Sequence, residues 1–163
     1  MKYSALLLTL MLAGCAAQPT VKSWMDPKSS VTITAQTEPL VLIRAQPAPS
    51  LNERDYAQLT AIEVNRMGER KLYLVAILWG SSEPWSDQAG TFQNAFKQVE
   101  VNLGDRTVAL TPHPGEVSEL GINQALPLPI PGSSHIYFPI SRDDLRAISH
   151  STRIELTANG IPE

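Results

Sequence analysis

Residues 71–79, KLYLVAILW, are apolar almost throughout, and they constrain the fold more than any other stretch of the chain. Read as a strand, Leu72, Leu74, Ala76 and Leu78 fall on one face, and Tyr73, Val75, Ile77 and Trp79 on the other. A strand that is apolar on both faces must be covered on both, so it belongs at the centre of a sheet with material above and below. A buried helix gives the same run. The flanking Gly68 and Gly80 and the aromatic content favour a strand, with Trp79 expected to be buried and its indole N–H bonded to an acceptor.

The surrounding pattern agrees. VTITA (31–35) alternates Val31, Ile33 and Ala35 with Thr32 and Thr34. PLVLIRAQ follows, with Pro39 at the strand start, where its missing N–H is harmless. YAQLTAIEVNR places Thr60, Ile62 and Val64 on one face, and Gly68 suits a turn that needs positive φ. KQVEVNLGDRTVALTP reads as a hairpin around Gly104-Asp105, and HIYFPI and TRIELTA as further strands burying Ile136, Phe138, Ile154 and Leu156. ALPLPIPG carries Pro127, Pro129 and Pro131, too many for a central strand, and reads as an edge or polyproline-like segment. Ser141 with Asp144 three residues on resembles a capping box, predicting a helix from about Arg142 to Ser149. Eight or nine strands with one or two short helices predict an all-β fold: an antiparallel β-sandwich, immunoglobulin-like in architecture only. The single cysteine allows no intrachain disulfide, so the apolar core must hold the domain together.

That cysteine, Cys15, follows a short export-like segment. Lys2 supplies a positive start, and ALLLTLMLA is too short to cross a bilayer as a helix but matches the apolar region of a secretory signal. The run ends in Leu12-Ala13-Gly14-Cys15. These four residues resemble the lipobox of bacterial lipoproteins, and the resemblance covers only the export segment. It implies that the Cys15 thiol takes a diacylglyceryl group, that the chain is cut before it, and that the new amine is acylated. A lone thiol in an oxidising compartment invites intermolecular disulfides, and lipidation removes it. Several acyl chains anchor a domain stably where one does so only marginally. In that class aspartate after the cysteine retains the protein at the inner membrane; Ala16 implies the outer membrane, with the domain facing the periplasm. The expected organisation is a signal peptide over 1–14, a lipidated tether over 15–30, and a single β-sandwich domain over 31–163; Trp24 of the tether either docks on the domain, the favoured reading, or sits near the lipid headgroups.

The chemistry-bearing residues form no recognisable constellation. His113, His135 and His150 make no HxH or HExxH pair, so no metal site and no cofactor are expected. Ser133, Ser134 and His135 are neighbours on a strand and do not face one another, and no G-x-S-x-G is present. Asp143 and Asp144 fit the first turn of a helix, where they favour its dipole. No catalytic residue is therefore assigned. A net charge of −3 with interspersed signs offers no basic block for nucleic acid. The candidate recognition residues are Trp85, Phe92 and Phe96, in a stretch that breaks the strand pattern; the competing reading has these rings folding back over the end of the sandwich. Two functional readings follow. One is a non-catalytic envelope lipoprotein that binds or supports another envelope protein. The other is a periplasmic ligand-binding or catalytic domain with a site built from loops. The strand pattern and the lack of motifs favour the first.

Overall fold

The computed structural model describes residues 20–45, 54–80, 96–123, 126–131 and 133–158. Cys15, Trp85 and Phe92 lie outside them, as do the signal segment and the first residues of the expected tether. Two antiparallel sheets form a sandwich, as the alternation predicts. The larger sheet holds β1 (Val21–Met25), β2 (Thr32–Gln36), β3 (Leu40–Ala45), β4 (Arg54–Arg66), β5 (Glu69–Gly80) and β8 (Ser134–Pro139). The smaller holds β6 (Val99–Asn102), β7 (Thr107–Leu110) and β9 (Glu155–Ala158) in the order β7-β6-β9. Among the described residues one α-helix, α1 (Arg142–His150), lies between β8 and β9, and a 3-10 turn spans Val117–Leu120.

The larger sheet is organised by the long β4–β5 hairpin. Its turn, Met67-Gly68, has φ of 52° and 93°, the two positive values of a type I′ turn, whose twist matches that of paired strands. β5 pairs with β8 on its other side. The outer side of β4 is shared: β2 pairs with residues 62–65 and β3 with residues 54–59. The register shifts by two residues between them, because Ala35 faces Ile62 while Leu40 faces Leu59. Residues 36–39, with Pro39 removing a donor, absorb the shift.

β5 is covered on both faces. Leu74, Ala76 and Leu78 join Leu59 and Phe138 against Val99, Val101, Leu103, Val108 and Leu110 of the smaller sheet and Ile148 of α1. Tyr73, Val75 and Ile77 join Val31, Ile33, Ile62, Val64 and Tyr137 on the opposite face. That second face is covered by no described sheet but by a strap, residues 113–123 and 126–131, whose Ile122 and Leu126 are buried and whose Val117 and Leu120 pack alongside. Gly121 lets the strap lie close: its φ is +81°, and a Cβ there would sit 2.7 Å from Val31 Cγ2.

Three expectations change. The tether does not reach residue 30, because Val21–Met25 already pairs with β2 as the edge strand. Val21, Ser23 and Met25 are exposed, so the strand carries little apolar signal. Trp79 is half-buried rather than enclosed; its ring stacks on Tyr56 with centroids 5.3 Å apart and planes 8° apart. Of the two readings of the proline-rich ALPLPIPG, the sheet edge falls: its described residues form no strand and cross the sheet face as part of the strap. α1 is capped as expected, with Asp144 N donating to Ser141 Oγ at 3.0 Å, and Arg106 pairs with Asp144 to tie α1 to the β6–β7 hairpin.

Candidate functional site: a groove beside a bare sheet face

The strap covers only part of its face. Val64, Ile62 and Thr60 on β4 and Tyr73, Val75 and Ile77 on β5 are buried. One step further along the same strands, Gln58, Tyr56 and Trp79 are only half-buried. On β3, Val41 and Ile43 stand opposite Gln58 and Tyr56 and are 46% and 60% exposed. The result, among the described side chains, is a platform of Val41, Ile43 and the stacked Tyr56–Trp79 pair.

Between the platform and the strap lies a half-open groove of about 830 Å³, a volume within the usual range for binding clefts. Its floor includes Ala35, Thr60, Gln58 and Ile77 of the sheet. Lys22, Trp24 and Met25 of β1 and the Gln36–Pro39 break form one wall, and Leu126 to Pro129 the other. The lining mixes amides, hydroxyls, apolar side chains and the Lys22 cation.

Two polar devices fix the strap against the sheet. Asp26, fully buried after β1, accepts hydrogen bonds from Lys28 N (2.9 Å), Ser29 N (3.1 Å), Asn123 N (2.7 Å) and Asn123 Nδ2 (3.1 Å). Burial alone would raise its pKa, but these donors stabilise the anion and hold it well below the usual carboxylate range. Ser29 Oγ donates to Gly121 O beside it. At the other end the His135 ring bonds the Leu126 backbone; burial pushes its pKa down, and that bond pulls the other way. Burial also pushes Tyr137 up to about 12 and raises Tyr73. His113 stands edge-on to Tyr73, centroids 6.4 Å apart, while its backbone N donates to Tyr137 O. Among the described residues, His113 Nε2, His135 Nε2 and the Trp24 indole N–H are buried without a hydrogen-bond partner.

Of the sequence-derived recognition residues, Phe96 is placed away from this surface. Its ring is 4% exposed and packs into the core between the two sheets, because the chain turns inward there to enter β6. Trp24 docks on the sheet face, as the sequence suggested. No group of three or more His, Cys, Asp or Glu able to hold a metal occurs among the described residues. Sequence reasoning missed Lys22, Asp26, Tyr56, Gln58 and Thr60. Only Asp26 left a signal: Asp-Pro-Lys-Ser is turn chemistry, with a carboxylate placed to accept from the following backbone N–H groups.

Fold and site together define the class: an all-β, two-sheet domain in which a strap half-covers the second face of the larger sheet. Compared with family models, with curated proteins and with solved structures, the chain matches none.

Proposed function

We propose that this chain is a bacterial envelope lipoprotein, anchored through acylated Cys15 at the outer membrane and facing the periplasm. In this reading it serves without catalysis, as a β-sandwich module whose groove holds a segment of another envelope protein. The supporting observation is the groove itself. It is half-open, bounded by an edge strand, and lined by side chains that suit an extended chain: Gln36, Gln58 and Thr60 for backbone groups, and Ala35, Ile77 and Leu126 for apolar side chains.

Photocrosslinking in intact cells tests this. A photoreactive residue in place of Gln58 should join the chain to one discrete envelope protein. The same residue in place of Arg142, on the helix side, should not. Filling the groove with Ala35→Trp should remove the adduct while the protein stays in the membrane fraction. Equal adducts from both positions would refute the groove as the contact. The anchor has its own test: mass spectrometry should find an N-terminus at Cys15 carrying acyl mass, and Cys15→Ser should leave an uncleaved precursor. A soluble, unmodified mature chain would overturn it.

A further inference from the structure

We propose that the platform formed by Val41, Ile43, Tyr56 and Trp79 rests on the surface of the phospholipid bilayer. The proposal depends on the Cys15 anchor and goes beyond it, by assigning which face of the domain meets the lipid.

Connectivity comes first. From Cys15 to Val21 is six residue steps, a span of at most ~20 Å when fully extended. The anchored domain therefore cannot leave the bilayer; it can only choose which face to present. β1 enters the sheet with Val21 opposite Gln36, and Thr37 N donates to Thr20 O. The chain thus joins the sheet at the Gln36–Pro39 break where β3 begins, next to the bare half of the face and not at the far end by the β4–β5 turn.

Chemistry comes second. Val41 and Ile43 are aliphatic and largely exposed, and no described side chain of the platform carries a charge. Tyr56 and Trp79 pair an apolar ring with a polar tip, the combination enriched where protein meets the headgroup layer. Lys22, at the edge of the groove, supplies a cation near the same level. Four side chains are too few to hold a free domain on a membrane. A short tether changes the arithmetic, because it makes the contact intramolecular, at an effective concentration of about a millimolar. A weak apolar patch then suffices to orient the domain, with its groove held beside the bilayer and open to a membrane-proximal segment of a partner.

The test uses the full lipidated chain in vesicles of phosphatidylethanolamine and phosphatidylglycerol, with bromines carried high or low on the acyl chains. A platform seated about 5–10 Å into the headgroup–acyl boundary brings Trp79 within reach of the high bromines and beyond the low ones. Expected is quenching by high bromines that largely disappears in Trp79→Phe. It should fall severalfold in Ile43→Glu, an exposed position where the fold is not at stake. Acyl mass on Cys15 is read in the same samples. Acylated protein whose Trp79 emission ignores the bromines overturns the platform and leaves the anchor standing. A Trp79 signal that follows protein concentration instead of bromine assigns the face to a second copy and also overturns the proposal. Absence of acyl mass overturns the anchor and the platform together.

Discussion

Asp26 and His135 hold the strap from opposite ends, and both make it sensitive to acid. The Asp26 carboxylate has a depressed pKa in the folded chain, so its contribution is complete above the unfolded carboxylate value of about 4 and is lost as pH falls below it. Burial pushes the His135 pKa below its ordinary value in the folded chain, against the opposing pull of the Leu126 backbone bond. The unfolded chain binds its proton first, so stability also falls as pH drops below the free histidine value of about 6.5. Denaturant midpoints measured against pH should show two descending limbs. His135→Gln should flatten the upper limb and leave the lower one. Asp26→Asn should lower the midpoint at neutral pH, because its amide N–H groups would face donors, and should remove most of the lower limb. A single limb unaffected by either substitution would refute this account.

At the scale of elements, strand period and turn chemistry are legible where a strand has one buried and one open face, or two buried faces. Val31–Ala35, Thr60–Val64 and Leu72–Leu78 read correctly for that reason, and the Ser141 cap locates α1. β1 is not legible, because an edge strand with exposed Val21, Ser23 and Met25 looks like a polar tether. The groove is not legible either. Its walls come from β1, the Gln36–Pro39 break and the strap, which sequence spacing does not bring together. Trp79 is less buried than its place in the strand implies, because the apolar run is longer than the strap that covers it. Met67 is an element-scale flaw the sequence conceals: a fully exposed side chain at φ 52°, where a residue with Cβ is strained. Asparagine tolerates that left-handed backbone, and the Met67 side chain buries nothing that would be given up. Met67→Asn should therefore raise stability by up to about 1 kcal/mol. Chemical denaturation would show it, and an unchanged midpoint would mean that the turn stores no such strain.

For the whole molecule, the decisive fact is that β5 belongs to two cores at once. Ile77 and Leu78 are neighbours in sequence whose side chains enter opposite layers. Truncating either to alanine should cost about 2–5 kcal/mol. Because the strand is shared, each variant should still unfold in one step, with tryptophan emission and far-UV circular dichroism changing together. Separate transitions in Ile77→Ala would mean that the strap-covered layer melts on its own.

The bond between Asp26 and Asn123 also sets an order of assembly. These residues stand 97 positions apart. A chain is synthesised from its N-terminus, so Asp26 is made long before Asn123, and such distant contacts close only after the loop between them has been ordered. β1 is thus among the first parts of the domain to be made, while the contact that ties its end to the strap is among the last to form. Until then the face of Ile33, Ile62 and Val75 that the strap covers stays open for chaperones, or for a neighbouring chain, to occupy.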